Sequence, residues 1–238
     1  MKTLLPILLV ALSAPAGAQD FGTAVNGALG QARASARATQ ATVRKGILHA
    51  QRVAALDATM TAMNDGVEQG GAVVSFVQDN KVEIRFEDEP KVSRTDGKAI
   101  VLNLMIPAFP RAIGPRVAWE ASAMMLADMP DCSEKEYMRR SITARVWLEL
   151  GGEPAGLPVV EATTGDKDEA LSKQMKLWLD DSAQTALYKI GEATKTRSVM
   201  EQLDSEKDPA RRQALEAANT RFTAFLLAEN DWRRSNPR

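Results

Sequence analysis

Chemistry in this chain could gather at one short frame. Trp119-Glu120-Ala121-Ser122-Ala123 sets a single carboxylate, Glu120, inside an otherwise uncharged run from Val117 to Leu126. Residues four apart share one face of a helix. In the H-E-x-x-H arrangement that spacing lets two imidazoles hold one ion. The Glu between them then acts as general base on the metal-bound water. Here the two imidazole positions hold Trp119 and Ala123, which are not metal ligands. Only Glu120 keeps its type. One or two carboxylates suit weak binding of a hard cation, not a tight zinc site. The expectation is therefore no catalytic residue, no metal and no cofactor.

Each of these residues also has a plainer reading. Glu120 can pair with Arg116 one turn back on a solvated stripe, worth about 0.3 kcal/mol. Ser133-Glu134-Lys135-Glu136 reads as a capping box, with Glu136 as its third helical residue. Glu134 suits the positive end of a helix dipole. Trp119 and Ala123 can be core residues. Met124, Met125 and Met138 are adaptable packing that could line a groove.

Composition narrows the chemistry further. His49 is the only histidine, whereas catalytic zinc sites commonly use two or three. It sits in "RKGILHAQR", with no nucleophile motif nearby, and reads as a helix-surface or packing residue. Cys132 is the only cysteine, so no disulfide forms within the chain and a partly buried free thiol is expected. The chain carries 30 Lys and Arg against 31 Asp and Glu. That balance gives no reason to invoke nucleic acid or an anionic membrane.

The first residues have the build of a secretory signal. Lys2 is a short positive region, Leu4 to Leu12 is apolar but too short to span a bilayer, and Ala16-Gly17-Ala18 is an A-x-A cleavage site. Cleavage is expected before Gln19, with export to a periplasm or the cell exterior. No later apolar run is long enough to be an integral membrane segment.

The elements that would position the frame follow from periodicity. From Phe21 to Asn64, Val25, Leu29, Ala32, Ala36, Val43, Ile47, Ala50 and Ala54 keep helical spacing. The spacing predicts one long helix or a broken pair whose alanine stripe lies against other helices. Gly70-Gly71 breaks the pattern, and Ala72 to Asn80 is expected to be a short helix. Val82, Ile84 and Phe86 alternate with charges, which predicts a half-buried strand. Asp96-Gly97 predicts a turn, followed by a covered central strand from Ala99 to Ile106. Arg111 to Ala127 is the helix of the frame, and a second helix runs from Ser133 to about Leu150, ending at Gly151-Gly152. Asp166 with Glu169 caps a further helix with Leu171, Met175, Trp178 and Leu179, and Ala183 to Leu203 forms the next. Asp208-Pro209 opens the last one, with Leu215, Phe222, Phe225 and Leu226 on its apolar side and "RRSNPR" as a frayed tail. The fold class is α+β, dominated by helix. Four regions are expected: a signal peptide over 1–18, helices over 19–80, a small sheet with two helices over 81–155, and helices over 156–238.

The stretch from Val82 to Pro154 resembles the core of a small gluzincin-type metallopeptidase domain. Two strands, a helix with the H-E-x-x-H-like frame and a helix with an acidic first turn occur in that order. The resemblance implies that Glu120 stands where the general base would be and Glu136, or Glu134, where the third ligand would be. Trp119 would then fill the volume left by the metal and its ligand. With both histidine positions replaced, it implies a pseudopeptidase that binds a peptide or protein partner. Two other readings stay open: a helical structural or chaperone-like exported protein without such ancestry, and a hydrolase working through other residues.

Overall fold

The computed structural model describes residues 18–65, 68–88, 93–153, 178 and 181–236. The expected signal segment before Ala18 lies outside them. So does the helix expected around Asp166 and Glu169, apart from Trp178. The protein is a helix-dominated α+β fold with a small three-stranded sheet. Its chain divides into two compact units at Ala50–Gln51.

Helix α1 spans Ala18–Asn64 in one run. Within the first unit its described side chains are exposed, with only Ala32 and Leu48 partly covered. Along this part of the stripe Leu29, Val43 and Ile47 are 50%, 56% and 55% exposed. The stripe is mostly alanine, and burying alanines gains little apolar area.

The second unit begins with the last turns of α1, where Arg52, Thr59 and Met63 are buried. Helix α2 spans Glu68–Asp79 and includes Gly70 and Gly71 rather than breaking there. Its first turn is capped from another helix. The Glu149 carboxylate accepts from the backbone N–H of Gln69 (3.0 Å) and of Gly70 (3.2 Å). A charged acceptor at a helix N-terminus offsets the roughly 1 kcal/mol that each glycine costs.

The sheet has strand order β1-β3-β2, with β1 at Glu83–Glu87, β2 at Arg94–Asp96 and β3 at Ala99–Asn103. β1 pairs parallel with β3, and β2 pairs antiparallel on its other side. The central, covered strand is as expected. It ends at Asn103 rather than Ile106, because the Asn103 side chain accepts from the Met105 N–H (2.7 Å) and turns the chain. The turn between β2 and β3 is the expected one, with Gly97 at φ +60°.

Helix α3 (Pro110–Met125) carries the frame, and α4 (Ser133–Glu149) packs along it. Gly114 makes room for α3's neighbours, since a Cβ there would lie 2.5 Å from Leu150 Cδ1 and 3.3 Å from Met63 Sδ. Helix α4 is the central element, with twelve buried residues from Ser133 to Trp147. Gly151 closes it at φ +77°, with the Gly152 N–H on the Trp147 carbonyl.

The helix expected over Ala183 to Leu203 is two helices, α5 (Ala183–Thr194) and α6 (Val199–Leu203). Lys195 adopts the left-handed conformation at φ +58°, and Ser198 with Glu201 forms a capping box that restarts the chain. Helix α7 (Pro209–Ser235) opens on Asp208, whose carboxylate accepts from the Ala210 N–H (3.0 Å). It stays helical to Ser235, into the expected tail, with Arg233 tied down. Its Nε donates to Glu229 and its Nη2 to the Trp178 carbonyl (2.7 Å). The core gathers on α4, where Tyr137, Trp147, Trp178, Ile190, Leu215, Phe222 and Trp232 form one cluster.

Candidate functional site

Helix α3 turns Trp119 toward α4. The Arg139 guanidinium lies 3.8 Å from the Trp119 ring centroid and that of Arg140 lies 5.3 Å away. Arg140 also donates to the Glu136 carboxylate and carbonyl, and Arg139 stands 3.6 Å from the same carboxylate. Trp119 and Glu136 are thus joined through two cations. Trp119 is only partly buried, so it does not fill a closed void. Ala123, one turn on, is also partly covered.

Glu120 is 5% exposed, not a solvated surface charge. Arg116, its expected partner, is itself buried. The Glu120 carboxylate accepts from the Ser93 hydroxyl at 3.0 Å. Burial pushes its carboxyl above the ordinary range, while Ser93, Arg139 and Arg116 pull it back in part.

The start of α4 also differs from expectation. Its N-cap is Cys132, whose Sγ accepts from the Lys135 N–H at 3.4 Å. The capping box expected from Ser133 to Glu136 does not form, because the Glu136 carboxylate is turned to Arg140 and Arg139. Cys132 is a buried free thiol, and burial pushes it up to about 11. Glu134 is buried and accepts from the Val199 N–H at 2.9 Å, so it caps α6. His49 is exposed on α1.

The most heavily engaged carboxylate is one that sequence reasoning missed. Glu229 on α7 is 1% exposed. It accepts from the Tyr137 hydroxyl (2.6 Å), the Ser141 hydroxyl (2.5 Å), the Trp178 indole N–H (3.0 Å) and Arg233 Nε (3.1 Å). Burial first, then Glu229, pushes the Tyr137 hydroxyl far up, so it stays a donor. The signal was present: Leu215, Ala218, Phe222, Glu229 and Trp232 step by three, four and seven, which sets an acid on the apolar stripe.

These carboxylates hold elements together. Glu134 and Glu149 cap helices from a distance, Glu229 joins α4 and α7 to Trp178, and Glu136 holds Arg140. Among the described residues no group of three or more His, Cys, Asp and Glu side chains is arranged to hold a metal ion. An open groove does lie along α5 and α6, lined by Leu187, Tyr188, Gly191, Lys195, Arg197 and Glu201. Tyr188 stands 67% exposed in it. Among the described residues no helix is long and apolar enough to cross a membrane. No protein-family model matches this chain, and no curated protein or solved structure matches it either.

Proposed function

We propose that the protein is an exported, non-catalytic binder of a peptide or protein partner, on a degenerate metallopeptidase-like scaffold. One observation carries this reading. At the frame, Arg139 and Arg140 occupy the Trp119 face and engage Glu136, so fixed guanidinium groups stand beside the position a bound cation would take. Glu120 is drawn off to Ser93. The groove along α5 and α6 supports a binding role, since its exposed tyrosine and mixed charges are groups that contact peptides well.

The scaffold is tested by rebuilding the site. Trp119→His with Ala123→His places two imidazoles on one face, and Arg140→Met releases Glu136. Zinc titration of this triple variant should show an affinity that drops about tenfold or more when Glu136→Ala is added. Equal, weak affinities with and without Glu136 would reject the scaffold reading. The non-catalytic part has its own test. Hydrolysis of a general peptide substrate that disappears in Glu120→Gln would overturn it.

A second reading is a helical structural or chaperone-like exported protein without peptidase ancestry. It is favoured by the complete structural roles of Glu134 and Glu136, which need no ancestral metal to explain them. The zinc titration separates the two.

A further inference from the structure

The near balance of charge over the whole chain hides a segregation along α1. From Phe21 to Leu56 the sequence contains Arg33, Arg37, Arg44, Lys45 and Arg52 but no Asp or Glu. Arg52 is buried in the second unit, with its Nε on the Leu104 carbonyl (3.0 Å), and is not part of the exposed face. At about 100° per residue, Leu29, Ala36, Val43 and Ile47 fall within about 40° of one another. Arg33, Arg44 and Arg37 come at about 40° to 80° from Leu29, along one flank of that stripe. All seven side chains are exposed. A basic helix with an adjoining apolar stripe has the build of an element that lies in a membrane interface.

We propose that this face of α1 docks on the surface of an anionic phospholipid bilayer. Leu29, Val43 and Ile47 would enter the boundary between headgroups and acyl chains. Arg33, Arg37 and Arg44 would reach lipid phosphates from the flank, with their methylene stems along the apolar edge. Charge selects this occupant. A second copy of the chain offers no acid between Phe21 and Leu56 to meet the arginines. Nucleic acid would use the arginines and leave the apolar stripe in water. The helix lies on the bilayer rather than across it, since no helix among the described residues is long and apolar enough to cross a membrane. Only residues 21–50 take part, whether or not the second unit has a peptidase-like ancestry.

The test is co-sedimentation of the full chain from Gln19 with two kinds of vesicle. One is phosphatidylcholine alone, and the other contains phosphatidylglycerol as well. The expected result is binding to the anionic vesicles only, weakened by salt. Arg33→Gln, Arg37→Gln and Arg44→Gln combined should reduce affinity on the order of 100-fold, at about 5-fold per arginine. Val43→Ser with Ile47→Ser should reduce it about tenfold or more. Both sets change exposed positions, and circular dichroism checks that helix content is kept. Equal binding to both vesicle types, or none to either, overturns the proposal. So does displacement by duplex DNA combined with indifference to the Val43 and Ile47 changes, which would mark a general polyanion site. Self-association lost in the same variants would mark a second copy or an acidic protein groove as the occupant, and would overturn it as well.

Discussion

At the scale of single residues, burial decides what Glu120 and Cys132 can do. Among the described residues Glu120 is held by the Ser93 hydroxyl, and burial outweighs that bond and the attraction of Arg139 and Arg116, so its carboxyl is raised from the ordinary 4.5. A carboxyl raised on folding binds its proton more tightly in the folded chain. Its ionisation therefore lowers stability as pH rises above the ordinary carboxyl range. Glu120→Gln keeps an acceptor for Ser93 and removes that ionisation. The variant should be as stable as the parent in acid and more stable than it at higher pH. Urea denaturation at the two pH values checks this, and a variant weakened only at neutral pH would show that the arginines outweigh burial. Cys132 lies at the start of α4 with its thiol raised to about 11. It should resist alkylation by iodoacetamide in the folded protein and react once urea unfolds the chain. Prompt reaction under native conditions would place the thiol at the surface instead.

At the scale of elements, local signals were legible and distant ones were not. Asp208 followed by Pro209 announces a helix start, and the alternation from Val82 to Phe86 announces a strand, because both signals lie within a few residues. The glycines of α2 look like a break in sequence. They are tolerated because Glu149 caps that helix from 79 and 80 residues away. Ser198-x-x-Glu201 was readable as a capping box, but apolar spacing on either side of Lys195 masked it. At the candidate site, the facing of Trp119 and Glu136 across α3 and α4 could be guessed from helix order. The insertion of Arg139 and Arg140 between them could not, since which arginine turns inward is settled by tertiary packing. Glu229 is where these element contacts concentrate, with donors from α4, α7 and Trp178. Removing a buried carboxylate leaves Arg233 and three other donors without their acceptor, so Glu229→Ala should lose about 3–5 kcal/mol. Tyr137→Phe removes one donor and should lose about 1–2 kcal/mol. If Glu229→Ala lowers stability by less than Tyr137→Phe in urea titrations, the carboxylate is not the hub that the four hydrogen bonds describe.

At the scale of the whole molecule, the two units differ in how they are held. The described residues of the second unit gather a core on α4, and the last turns of α1 bury Arg52, Thr59 and Met63 in that unit. Up to Ala50 the described side chains of α1 are nearly all exposed, so that part of the helix carries surface chemistry rather than fold stability. A chain beginning at Gln51 should therefore unfold cooperatively, with a midpoint within a few degrees of the full chain's, because few apolar contacts are removed. The same truncation removes Leu29, Arg33, Arg37, Val43, Arg44 and Ile47 together. It should abolish sedimentation with anionic vesicles while leaving the groove along α5 and α6 in place. Calorimetry and vesicle binding on the one truncated protein report the two properties separately. A large fall in midpoint would show that residues before Gln51 bear on the core, against the exposure seen along α1. A preserved midpoint with vesicle binding retained would move the membrane contact away from α1 and onto the second unit.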